Sequence, residues 1–277
     1  MSKIFTRSFR VRFSELDATG CVSPASYLRY LVETAYDWGN ALGLGALDSQ
    51  QLGIFWLIRE TELQILQPLR HEDRFDFTIW MVNWQRVRGT RCFELTKSGG
   101  QVVARGSQHI VCMDSATLRP TSPPQAIIDN FRIDDPRAFP FERFPKIDAR
   151  PAPFNFHRRV EWGDLDSLEH VNNATYVTLA EEAAARAQTD CGWSPVKLAE
   201  SNLVVATRQI HIQYLSPALW GETLTISTHP YSLHETGGTR CVRFARPDGS
   251  LVCECLLGWQ LLDRASSQPR PLPDGFC

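Results

Sequence analysis

The sequence predicts an α+β protein built twice over, each half a curved antiparallel sheet wrapped around one long helix. Three observations carry that expectation. The first is an internal repeat that runs 149 residues apart without an insertion. Val11 falls on Val160, Leu16 on Leu165, Asp17 on Asp166, Val22 on Val171, Ala25 on Ala174, Tyr27 on Tyr176 and Glu33 on Glu182. Further on, Gly89-Thr90-Arg91-Cys92 lands on Gly238-Thr239-Arg240-Cys241, with Pro68 on Pro217 and Asp114 on Asp263 to either side. A period far beyond the roughly 20–50 residues of a solenoid repeat means two domains. The second observation is one long helical pattern in each half. The third is a run of four β-rich segments after each helix; a sheet that size must cover its apolar face, and the single helix is the cover at hand.

The first half occupies residues 1–119. Residues 6–16 read as a strand leading to Glu15, Asp17 and the turn Ala18-Thr19-Gly20. Ser23 is placed as an N-cap, with Pro24 at the first helical position, where a missing N–H does no harm. The helix runs to about Leu42, with Tyr27, Leu31, Thr34, Ala35, Trp38 and Leu42 as a buried stripe at helical spacing. Gly43 and Gly45 stop it, and a short turn or helix is expected near 46–51. Strands follow at about 53–66, 73–84, 87–97 and 101–114, the last two joined by the hairpin turn Ser98-Gly99-Gly100. Residues 120–156 hold eight of the chain's 17 prolines and read as an extended linker laid over the surface. The second half, 157–277, repeats the order: strand 157–165, helix 172–190, and strands at about 202–215, 221–231, 238–246 and 250–263. Its helix is Ala-rich, which allows close approach of sheet to helix. The Pro-containing tail after Ser266 is expected to be loosely held.

Composition excludes several classes. A formal net charge of -2 and a pI near 6.4 make no electrostatic case for nucleic acid or a membrane surface. No apolar run approaches the roughly 18 residues needed to cross a bilayer. The opening residues, MSKIFTRSFR, lack the apolar core of a signal peptide. Eight Cys occur without a CxxC pair, so the expectation is a cytoplasmic chain with reduced thiols. Cys253 and Cys255 share one strand face and read as core. No zinc site and no cofactor are expected.

Chemistry concentrates between Arg158 and Arg186, RRVEWGDLDSLEHVNNATYVTLAEEAAAR. The stretch starts as a strand, bends from Asp166 to His170 and opens the second helix at Asn172. Asp164 and Asp166 lie two apart, so on extended backbone both carboxylates would point to one face. Asn172 is a good N-cap. Carboxylates, an imidazole and free helix N–H groups therefore meet within a few residues, which suits polarising a carbonyl and activating a water.

Asp166–Glu182, with its DLD followed by HVNN, Tyr and Glu, resembles the corresponding segment of hotdog thioesterases of the 4-hydroxybenzoyl-CoA type. It also resembles acyl-acyl-carrier-protein thioesterases, as do SELDATGCVSPASYLRYLVETA and GIFWLIRETELQI of the first half, the tandem layout and the length. The resemblance implies a tandem (double) hotdog fold and hydrolysis of acyl thioesters of an acyl carrier protein or coenzyme A. It implies an active site of the kind the single-hotdog enzymes form between two hotdogs, and a possible homo-oligomer of double-hotdog chains. Carried over by position, the family's aspartate is Asp166 and its histidine His170. Two positions depart from the carrier-protein enzymes: Leu168 stands where they have Asn, and Pro217 stands where they place a further acid. One carboxylate plus helix N–H groups is therefore the better template.

On this template Asp166 is the general base for water or the nucleophile toward the thioester, against a purely structural turn cap. Asp17 shares the position in the first half. His170 orients the thioester or bonds Asp166. Asn172 caps the helix, Asn173 bonds a carbonyl or a partner loop, and Val171 completes the HVNN contact with substrate. Glu182 positions water or forms a surface ion pair. Trp38, Trp56 and Trp80 line the acyl chain. Two other functions stay open: a non-catalytic acyl-thioester binder, favoured by Leu168 and Pro217, and a hotdog hydratase, whose expected D-x-N-P-x-H string is missing.

Overall fold

The computed structural model describes residues 3–44, 51–140, 143–147 and 153–276. The chain divides into two compact units, Met1–Glu142 and Arg143–Cys277. In the first unit β1 (Ile4–Arg10) leads through a 3₁₀ turn (Phe13–Glu15) to helix α1 (Pro24–Ala41). Strands β2 (Ile54–Ile65), β3 (Arg74–Gln85), β4 (Arg88–Lys97) and β5 (Val102–Asp114) follow, and then a short helix α2 (Gln125–Phe131). The strands pair antiparallel in the order β1-β3-β4-β5-β2.

The second unit repeats the plan with β6 (Phe154–Arg159), a 3₁₀ turn (Trp162–Asp164) and helix α3 (Asn173–Asp190). A short helix α4 (Pro195–Glu200) precedes β7 (Leu203–Tyr214), β8 (Thr223–His234), β9 (Gly237–Ala245) and β10 (Leu251–Asp263). Its antiparallel order, β7-β10-β9-β8-β6, matches the first unit position for position.

Each long helix lays one face on its own sheet. In the first unit Tyr30 packs against Phe9 at 4.9 Å and Phe75 at 5.0 Å between ring centroids. In the second, Tyr176 packs against Phe244 at 5.2 Å. The Ala-rich face of α3 buries Ala180, Ala183 and Ala187. Alternation along the strands then sorts every residue to the helix side or the outer side of its sheet.

The repeated tetrapeptide has a structural cause. Gly89 and Gly238 sit beside register shifts between β3 and β4 and between β8 and β9. A Cβ on Gly89 would come within 2.3 Å of the Trp84 ring, and one on Gly238 within 2.4 Å of the Ser232 carbonyl oxygen. Only glycine allows that approach. The next strand positions send Arg91 and Arg240 to the helix side and the buried Cys92 and Cys241 to the outer side.

Several expectations need correction. The first strand of each unit stops early, at Arg10 and Arg159, because a carboxylate closes a turn there. Glu15 Oε2 accepts from Arg12 N–H (2.6 Å), and Asp164 Oδ2 accepts from Glu161 N–H (2.7 Å). Such local side-chain bonds compete with strand pairing. Asp164 and Asp166 consequently do not share a strand face.

The linker is not extended throughout. Ile127 and Phe131, four apart, bury one side of α2, and Phe131 meets Trp38 edge-on at 4.7 Å. Farther along, Arg137 and Phe139 lie over Trp80 on the outer side of the first sheet. Phe144 and Ile147 likewise cover Cys241 and Leu256 on the second.

The tail is held rather than loose. Phe276 is buried with Leu198, Trp259 and Leu261, and Leu272 N–H donates to Glu235 O (2.8 Å). Cys253 and Cys255 are fully buried, and burial pushes both thiols up. Cys191, exposed at the end of α3, is disulfide-bonded, so thiols reduced throughout do not hold. The turn expected near 46–51 lies almost wholly outside the described residues. No helix among them is long and apolar enough to cross a membrane.

Candidate active site

The loop from Leu165 to Val171 is a narrow turn pinned at its neck by pairing of those two residues. Asp166 N–H donates to His170 O (3.0 Å) and Glu169 N–H to Asp166 O (3.0 Å). Glu169 takes the left-handed conformation, φ 62°, which reverses the chain. That reversal sets two side chains next to each other: His170 Nδ1 lies 3.8 Å from Asp166 Oδ1. Both are about a quarter exposed, at 27% and 26%. Leu168 N–H donates to Asp166 Oδ1 (2.9 Å), so Leu168 serves this site through its backbone. The second carboxylate oxygen, Oδ2, takes no hydrogen bond among the described residues.

The start of α3 follows directly. Val171 N–H donates to Ala218 O and Asn172 N–H to Asp164 O, each at 2.9 Å. Asn172 Oδ1 accepts from Ala174 N–H (2.9 Å), the cap that its residue type led us to expect. One donor remains: Asn173 N–H, at the first helical position, has no acceptor among the described residues. It stands at the positive end of an 18-residue helix, where partial charge favours a developing oxyanion. Asp164 is committed elsewhere, gripped through both oxygens by Arg158 Nη2 at 2.9 Å.

The other expected site residues separate. Val171 is buried and belongs to the core. Glu182 lies ten residues into α3, about 15 Å along the axis at ~1.5 Å per residue. It pairs with Arg186 (2.6 Å) over a shallow open depression that also includes Phe154, Thr189 and Asp190. Of its two expected roles, the structure shows the surface ion pair. Trp80 is on the outer side of the first sheet, its Nε1 donating to Arg137 O (2.6 Å), so it lines no helix-facing space. Trp38 is 2% exposed against Phe131. Trp56 meets Trp84 edge-on at 5.4 Å on the helix side of the first sheet. Asp17 occupies the turn of the first unit, where both the N–H and the hydroxyl of Thr19 occupy its Oδ1.

Sequence reasoning missed Tyr214, whose hydroxyl donates to Asn173 O (3.2 Å) and ties β7 to the start of α3. A tyrosine at a strand end carries no local signal of such a contact. It also missed the apolar rim of the turn, where Trp162 and Trp220 meet edge-on at 6.4 Å and Leu168 and Leu219 stay exposed.

Comparison with known proteins fixes the family. The sequence matches the thioesterase-like superfamily over residues 11–131 and again over 160–277, one match in each unit. The chain belongs to the thioesterase-like superfamily. Among similar proteins of that kind, a chloroplastic palmitoyl-acyl carrier protein thioesterase of Cuphea hookeriana is 21% identical over 187 residues. The match takes in 63% of this chain and 45% of the plant protein, so the chain spans about half the length of that relative. The long-chain acyl-CoA thioesterase FadM of Escherichia coli is 27% identical over 113 residues, 38% of this chain and 80% of its own. In three dimensions, the putative oleoyl thioesterase of Lactobacillus plantarum superposes with a TM-score of 0.80 at 18% identity, over 96% of this chain and 97% of that one. The fold is thus the hotdog-type thioesterase fold, with an antiparallel sheet in each unit.

Proposed function

We propose that this superfamily member hydrolyses acyl thioesters of a carrier protein or coenzyme A, that each sheet wraps its long helix as a hotdog half, and that the chemistry resides in the second half. The observation that carries this reading is that one short segment holds both Asp166, its Oδ2 open, and, seven residues on at the helix tip, the unused N–H of Asn173. A thioester carbonyl oxygen bound at Asn173 N–H would have its developing negative charge stabilised by the helix end. Asp166 would remove a proton from water as the water adds to the carbonyl carbon. The carbon–sulfur bond then breaks, the thiolate leaves and takes up a proton, and the acid is released. His170 beside Asp166 orients the carboxylate, and Asn172 holds the helix end rigid. The acyl chain would run along the helix side of the second sheet, in the same unit as Asp166 and Asn173. The named activities of the plant and bacterial relatives support thioesters as the substrate class.

The test is thiol release from a panel of acyl-carrier-protein and acyl-CoA thioesters by the purified chain. Turnover that vanishes in Asp166→Asn is the expected result. Tight binding of the same thioesters with no release over hours would select a non-catalytic binder instead. Loss of absorbance from a crotonyl-type thioester without thiol release would select a hydratase.

A further inference from the structure

Arg240 carries the next inference, because the molecule contains its own control. On β9 it alternates with Val242 and Phe244, and Phe244 packs on Tyr176 of α3, so its guanidinium lies on the helix side of the second sheet. It is 1% exposed. Nη1 reaches Thr228 Oγ1 at 3.5 Å, and Nε and Nη2 have no partner among the described residues. Arg91 holds the same repeat position in the first unit. There Nε and Nη2 both grip Gln108 Oε1, and Gln108 Nε2 in turn donates to Thr61 (2.9 Å). The repeat puts Leu257 where Gln108 stands and Ile210 where Thr61 stands. One unit therefore closes the guanidinium edge with its own amide, and the other replaces that amide and hydroxyl with apolar side chains.

Burial lowers the Arg240 pKa to about 10, which leaves it cationic at neutral pH. A buried cation without a partner is costly to the fold, and a bound anion would complete it. The open Nε–Nη2 edge presents two parallel N–H groups, the geometry that fits a carboxylate, and charge balance favours an anion over a ketone or hydroxyl.

We propose that Arg240 is a specificity determinant that binds a carboxylate on the acyl group, so that the second unit takes acyl thioesters carrying a carboxylate away from the thioester end. The strands set the reach. Tyr214 touches Asn173 and Thr207 touches Glu181, so β7 runs alongside α3 from its start. Arg240 is four residues along β9 from Phe244, about 13 Å at ~3.3 Å per residue. The carboxylate would lie well down the helix from the reacting carbonyl. This inference rests on the thioester reading above.

The experiment compares ω-carboxyacyl-CoA with plain acyl-CoA of equal chain length, using the native chain, Arg240→Met and Leu257→Gln. Leu257→Gln copies Gln108 and supplies an internal partner. Thermal midpoints are read in parallel with and without the free dicarboxylate or monocarboxylate of that length. We expect the native chain to favour the ω-carboxy thioester by at least about tenfold in kcat/KM. That ratio should fall to near one in both variants, and the dicarboxylate should raise the midpoint of the native chain only. Equal rates on both substrates by the native chain, or a preference that survives both variants, overturns the inference. If no thioester is hydrolysed at all, the hydrolysis reading fails. The dicarboxylate shift then decides Arg240 alone: present in the native chain and lost in the variants supports it, and no shift overturns it.

Discussion

The two helix entrances are copies of one turn, and they differ where chemistry would need them to differ. In the first, Asp17 spends one carboxylate oxygen on the N–H and hydroxyl of Thr19. Cys21 stands at the histidine position, and Pro24 opens the helix with no N–H to offer. In the second, Asp166 receives one backbone bond, His170 stands 3.8 Å away, and Asn173 presents a donor at the helix tip. Scaffold residues are kept through the duplication: Val11 and Val160, Val22 and Val171, Tyr27 and Tyr176 are all buried. Packing constrains both halves equally; the acid stands in both turns, whereas the imidazole and the free N–H stand only in the second.

Exchanging residues between the copies is the sharpest way to break that comparison. Asn173→Pro, which copies Pro24, should cut kcat by about 10²–10³ through loss of one oxyanion donor. Helix content by circular dichroism should persist, because proline is tolerated at the first helical position. A variant with full activity would remove the helix tip from the mechanism. His170→Cys, which copies Cys21, should reduce turnover by roughly ten- to a hundredfold with little change in thermal midpoint. Asn172→Ala removes the cap on Ala174 and should lower unfolding free energy by about 1 kcal/mol in denaturant titrations. An unchanged midpoint would show that Asn172 does not cap α3 in solution.

The smallest effect concerns two turns that stayed alike. Asp114 and Asp263 end β5 and β10, and bonds from Thr117 and Ser266 hold their carboxyls below the ordinary 3.8. A depressed carboxylate contributes stability above its unfolded pKa that is lost as pH falls through its folded pKa. The contribution is therefore complete above pH 3.8 and declines below it. Asp114→Asn and Asp263→Asn should each flatten acid unfolding slightly in that range, and a steeper acid transition in either variant would contradict the assignment.

Much of the architecture was legible because it is written twice. The long helices and their following strands announce themselves through periodicity, and the +149 register confirms each half against the other. What the sequence hid depended on contacts between distant segments. The Pro-rich stretch 120–156 masked α2, which is fixed by Phe131 against Trp38. Trp80 reads as pocket lining until strand register turns it to the outer side, under Arg137 and Phe139. The tail's prolines gave no hint that Phe276 is buried against Trp259. At the site, Asp166, His170 and Asn172 were readable from the HVNN segment. The free N–H of Asn173 emerged only once every neighbouring donor was seen to be engaged. The unpaired edge of Arg240 required knowing that Leu257 lies opposite it.

If catalysis belongs to one copy of the turn, substituting the aspartate of each copy separately tells them apart. Steady-state thiol release should fall by about 10³ or more in Asp166→Asn and stay within about twofold of the native chain in Asp17→Asn. Comparable losses in both variants, or a silent Asp166→Asn, would contradict the account.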